Sequence, residues 1–180
     1  MAMQERRLFV IATPRFSAED SIWLAEVRRR HDPLSGIVSP HVTFVFDAAA
    51  SIETRLVAHV AEVAAALTTV RFVLRRARVH CDAITGRVFA YLLPEEGGDA
   101  LVRIHDRLHE GLLASARRRD APYLPHLTVG AFDAGAPAES VVDRLNRRSI
   151  GVAGAIEALQ TVAFDGRSVQ TIAESPVGAA

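Results

Sequence analysis

The chain of 180 residues contains no lysine: all 21 of its basic residues are arginine, balanced by 21 acidic ones. That absence excludes a P-loop lysine, a Schiff base and an adenylylated ligase lysine. A formal charge of zero creates no overall field for nucleic acid or membrane. Cys81 is the single cysteine, so an intrachain disulfide and a cysteine metal cluster are both ruled out. No stretch reaches transmembrane length, and the apolar run near the N-terminus is too short for a signal peptide. A soluble cytoplasmic protein is the expectation. The 49% apolar and 23% charged fractions suit one globular domain, spanning 1–180, or two small lobes sharing a core.

What the chain does have is a phrase that occurs twice. Pro40-His41-Val42-Thr43 recurs as Pro125-His126-Leu127-Thr128. On a strand, residues two apart point the same way, so His41 shares a face with Thr43, and His126 with Thr128. Val42, Phe44, Leu127 and Val129 then turn to the core. Each copy pairs an imidazole that titrates near neutrality with a hydroxyl donor. Two such pairs face to face would make a metal-free acid/base site for phosphate chemistry.

The surrounding chain repeats as well. RLFVIATP at 7–14 is echoed by RVFAYLLP at 87–94, and Phe46-Asp47-Ala48 by Phe132-Asp133-Ala134. Apolar β-branched runs predict strands at 7–13, 41–46 and 70–81. Ser17 and Asp20 resemble a capping box for a helix over 18–31, with Ile22, Trp23 and Val27 facing the sheet. Ser51 can cap a second helix carrying Ile52, Leu56, Val60, Val63 and Leu67. After a turn at 82–86, a third helix spans 98–115, with Leu101, Ile104, Leu108 and Leu112 on one stripe. A fourth spans 137–149, with Pro137 near its start. Strands at 155–164 and 168–174 flank Asp165-Gly166. The fold class is therefore α+β: a duplicated β-α-β-α-β unit, with repeats at about 7–82 and 87–174. Two pseudo-twofold lobes with antiparallel sheets would line a cleft, and the symmetry would bring both motifs into it.

The paired Pro-His-apolar-Thr motifs, their spacing and the duplication resemble the 2H phosphoesterase superfamily, over almost the whole chain from Arg7 to about 174. Within it the chain looks most like the 2'-5' RNA ligase and RNA 2',3'-cyclic phosphodiesterase group. The resemblance implies a bilobal fold, no metal, no cofactor, and an RNA terminus or small cyclic nucleotide as substrate for a monomeric enzyme. It implies His41 as the proton donor to the leaving oxygen and His126 as the base activating water, with Thr43 and Thr128 holding phosphate oxygens. Another small nucleotide, such as a 2'-5' oligonucleotide or a cyclic ADP-ribose phosphate, is the alternative substrate. A binding module without turnover is the rival from another class. One departure stands out: many ligase-like members carry an arginine three residues after the second motif threonine, and this chain has Ala131.

Other candidates have plainer readings. His105 and His109 have the i, i+4 spacing of metal ligands but lack a third ligand, so they are expected to flank the buried stripe. Cys81 reads as a core or edge residue, and His31 and His59 as surface residues. Arginine clusters at 28–30, 75–78, 117–119 and 147–148 read as solvated faces, although 117–119 could contact RNA. Tyr123 could stack on a base or anchor its loop.

Overall fold

The computed structural model describes residues 6–83, 85–117 and 122–178. Among these residues eight strands are formed: β1 (Arg7–Ala12), β2 (Val42–Ala49), β3 (Val70–Cys81), β4 (Val88–Glu96), β5 (Leu127–Phe132), β6 (Val152–Ile156), β7 (Ala158–Phe164) and β8 (Val169–Pro176). Four helices are α1 (Ala18–His31), α2 (Glu53–Ala65), α3 (Gly98–Leu108) and α4 (Gly135–Asn146). Every strand pairing is antiparallel, in two four-stranded sheets of order β2-β1-β7-β8 and β5-β4-β3-β6. The two orders correspond strand for strand, which is the pseudo-twofold relation that the repeats predict.

The halves exchange strands to build this arrangement. β3 leaves the first half to pair with β4, and β7 returns from the second half to pair with β1. Each sheet thus needs both halves, and the sequence repeats do not each close a sheet. The helices cross over too: α1 packs on β5 and α4 on β3, while α2 packs on β7 and β8. Alternate apolar residues along the strands turn inward. Leu8, Val10, Phe44, Leu74, Leu92, Leu127 and Val129 are all almost fully buried on that side.

Several local expectations are corrected. The strand expected at 155–164 is two strands, because the chain switches sheets at Glu157: β6 pairs with β3, and β7 with β1. Arg15 holds the Glu157 carboxylate at 2.7 Å at this crossing. The helix expected over 98–115 ends at Leu108. Gly111, at a φ of 58°, then starts a 3-10 turn to Ala116 that buries Leu113, while Leu112 stays half-buried. α1 begins as predicted, with the Ser17 hydroxyl accepting from the Asp20 N–H. Trp23 and Val27 pack against the core as expected, but the most deeply buried residues of the helix are Leu24 and Arg28, and Ile22 is 70% exposed. No side-chain cap is made at Ser51, where a short 3-10 turn precedes α2. Gly97 precedes α3 with a φ of 75°, and a Cβ there would lie 2.2 Å from the Arg71 carbonyl oxygen, so only glycine fits.

Candidate functional site

β2 and β5 are the end strands of their sheets, and these two edges approach each other. His41 and His126 stand one residue before the first paired residue of each strand, so β2 begins at Val42 rather than at the expected position 41. Val42, Phe44, Leu127 and Val129 are buried. The alternation therefore puts both histidines and both threonines on the opposite side, where all four are half-buried.

The two imidazoles are fixed in the same way. The His41 Nδ1 lies 2.8 Å from the Ser39 carbonyl oxygen, and the His126 Nδ1 lies 2.7 Å from that of Leu124. A carbonyl only accepts, so each Nδ1 must carry the proton. In the neutral ring Nε2 is then left as an acceptor that can take a proton, and in the protonated ring it is the nitrogen that can give one. The motif's own geometry supplies this: the carbonyl belongs to the residue before the proline, and proline holds that residue extended.

Burial pushes both pKa values down, because a charged ring loses hydration. For His126 the value falls to about 4, with the charges of His80 and His41 lowering it further against the raising effect of the Leu124 carbonyl. His41 is thus close enough to His126 to act on its charge. For His41 the nearby Arg28 lowers the value, and the Ser39 carbonyl and Asp32 raise it.

Tyr91 is a further candidate that the motifs did not reveal. It pairs with Thr128 across β4 and β5, and its ring stacks on His126 at 3.7 Å between centroids. His80 stacks on the same tyrosine at 5.0 Å and Phe89 at 5.8 Å. The echo RLFVIATP/RVFAYLLP carried the signal, since it places Tyr91 where the first half has Ile11, which pairs with Thr43. Tyr123 is an anchor: its hydroxyl donates to the Thr43 carbonyl at 2.8 Å, tying the loop of the second motif to the strand of the first. Its ring lies flat on His105, 4.1 Å away.

Arg28 corrects the reading of its cluster as a solvated face. It is 2% exposed, forms an ion pair with Asp32 at 2.8 Å, and donates to the Val38 carbonyl at 2.8 Å. Asp32 in turn accepts from the Leu34 N–H at 2.9 Å, so the pair ties down the loop leading to His41.

The remaining candidates fall elsewhere. His109 is buried and bonds the His105 carbonyl through Nδ1, and His59 bonds that of Leu108 through Nε2. Among the described residues, no cluster of three or more His, Cys, Asp or Glu side chains could hold a metal ion. Cys81 is exposed at the end of β3, and His31 lies 2.9 Å from Arg144. Arg75 is paired with Glu96 and Arg117 with Asp106, while Arg118 and Arg119 lie outside the described residues. Ala131 is half-buried opposite Phe89. No helix among the described residues is long and apolar enough to cross a membrane.

Known proteins share this architecture. The chain resembles the crystal structure of E. coli LigT complexed with 3'-AMP, with a TM-score of 0.61 and 16% identity over 96% of this chain and 98% of that one. It resembles a crystal structure described as a phosphoesterase, at a TM-score of 0.62 and 15% identity over 96% and 98%. Kluyveromyces marxianus Usb1 with uridine monophosphate gives 0.56 and 13% over 98% and 100%. No curated protein matches the chain at a significant level. The sequence itself matches the family model of the 2'-5' RNA ligase superfamily over residues 14–167, a span that takes in both His-x-Thr motifs. The chain therefore belongs to the 2'-5' RNA ligase superfamily, a branch of the 2H phosphoesterases, which are enzymes of phosphodiester bonds.

Proposed function

We propose that this protein is a metal-independent phosphodiesterase that hydrolyses 2',3'-cyclic phosphates to 2'-phosphates. His126 is the base: its Nε2 takes a proton from water as the water oxygen bonds to phosphorus. His41 is the acid: its Nε2 gives a proton to the 3' oxygen as the bond from phosphorus to that oxygen breaks. Thr43 and Thr128 donate hydrogen bonds to the non-bridging oxygens, where charge builds up in the transition state. The observation that carries this reading is the matched tethering of both Nδ1 atoms to carbonyl oxygens, which leaves two Nε2 atoms for one substrate.

The electrostatics support the assignment of roles. A base must be neutral, and the depressed pKa of His126 keeps it so at neutral pH. An acid must be protonated, and the negative charge of a bound phosphate favours the protonated form of His41. With an RNA 5'-hydroxyl in place of water, the same base and acid steps open the cyclic phosphate onto that hydroxyl oxygen, giving a 2'-5' linkage that needs no ATP.

The test is hydrolysis of a 2',3'-cyclic nucleotide with EDTA present, with the product resolved as 2'- or 3'-phosphate. Turnover to the 2'-phosphate is the expected result. His41→Ala and His126→Ala should each lower kcat by roughly two to four orders of magnitude while the protein stays folded. Unchanged turnover in either variant, or dependence on added metal, would overturn the mechanism.

A further inference from the structure

The two walls beside the motifs are built alike but charged differently. On the β2 side, the row opposite Thr43 runs through Ile11 to Gln160 and Glu174. Its polar groups are already engaged, since Gln160 donates to Glu174 at 2.8 Å and accepts from Thr13 at 2.9 Å. On the β5 side, the row opposite Thr128 runs through Tyr91 to Arg78. Arg76 lies two residues along β3, opposite Leu93, and so shares that face. Arg76 and Arg78 are both exposed, and neither has a hydrogen bond or ion pair among the described residues. Ala77, between them, is the one that faces the core, at 2% exposure.

We propose that Arg76 and Arg78 grip the backbone of a single-stranded RNA whose terminal phosphate lies between His41 and His126. This rests on the proposed phosphodiesterase reading and names its substrate class: the end of an oligonucleotide rather than a free mononucleotide. β3 lies two strands from β5, a separation of roughly 10 Å. That places both guanidinium groups on the far side of the Tyr91 ring from the reacting phosphate, where the next phosphates of a chain would lie. A guanidinium left without a partner on an open face is suited to bidentate contact with phosphate. The corresponding row of the other wall, Ile11, Gln160 and Glu174, carries no cation, so the asymmetry sets the side on which the strand lies.

The test compares kcat/KM for a 2',3'-cyclic mononucleotide with that for an oligoribonucleotide ending in the same cyclic phosphate, for the wild type and for Arg76→Ala/Arg78→Ala, over a salt series. The wild type should prefer the oligomer, and the double variant should lose about tenfold or more of that preference, through KM. Its salt slope for the oligomer should fall by roughly one to two, as two single-strand phosphate contacts are lost. An unchanged preference, or equal losses on both substrates, would overturn the proposal while leaving the histidine chemistry standing. If the wild type turns over neither substrate, the phosphodiesterase reading fails on its own. Fluorescence anisotropy with a labelled, 3'-phosphorylated oligoribonucleotide then decides the grip, since equal affinity of wild type and variant would sink it.

Discussion

The His126 imidazole lies on the Tyr91 ring, with centroids 3.7 Å apart and planes 19° from parallel. The corresponding neighbour in the first half is Ile11, so the duplicated site is not symmetric. Tyr91 stays neutral, because burial first and the charge of Asp82 second push its pKa up to about 12. A neutral ring over the imidazole removes water without supplying a charge, and this is what favours the unprotonated base.

Tyr91→Ala should therefore raise the His126 pKa from about 4 toward 6.5, because hydration of the charged ring is restored. Tyr91→Phe keeps the stack and should leave the value near that of the wild type. Imidazole NMR titration checks both. If His126 titrates identically in the alanine variant, the stack does not set its pKa. The alanine variant should also lose about 3 kcal/mol of stability, since a large ring at 8% exposure is removed.

Stability should fall in mild acid. The folded pKa of His126 lies below its unfolded value, so between about pH 6.5 and 4 the unfolded chain binds a proton that the fold does not. The stability is fully present above 6.5, and on the order of 2–3 kcal/mol of it is lost as the pH falls toward 4. The lowered His41 pKa acts with the same sign. Urea midpoints at pH 7 and 4.5 would show the loss, and His126→Gln should remove much of it. An equal pH dependence in that variant would assign the loss to the carboxylates instead.

The rate should peak on the acid side of neutrality. kcat/KM reports the free enzyme, in which the proposed roles require His126 neutral and His41 protonated. The rising limb then follows the depressed pKa of about 4, and the falling limb lies below 6.5 because burial lowers His41 as well. The two limbs belong to the coupled pair. A maximum near pH 8 for a cyclic mononucleotide would contradict the assignment of acid and base.

The motifs, their shared faces and the pseudo-twofold relation were legible because each rests on local rules, namely alternation along a strand and recurrence along the chain. The Ser17 cap, the Val70–Cys81 strand and the buried stripe of α2 follow from the same rules. The strand exchange between halves was not legible, since hydrophobic alternation says which face is buried but not which strand lies alongside. For the same reason the sheet switch at Glu157 read as one continuous strand. Arg28 was misplaced because an arginine at a helix end is ordinarily solvated, and only the partners Asp32 and the Val38 carbonyl make its burial affordable.

That buried pair gives the sharpest separation of fold from function. Arg28→Met leaves Asp32 without its partner at 6% exposure, and should cost about 3–5 kcal/mol. Arg28→Met/Asp32→Leu removes both charges, and apolar groups of similar size fill the space, so most of that loss should be recovered. What the double variant cannot recover is the hydrogen bond to the Val38 carbonyl and the tie to the Leu34 N–H, three residues and more ahead of His41. Its kcat should therefore fall by about tenfold with a much smaller change in KM, because the loop no longer holds His41, the proposed acid, in place. Urea unfolding beside steady-state kinetics on the two variants reads the two effects apart. A double variant as stable and as active as the wild type would show that the pair serves neither fold nor catalysis.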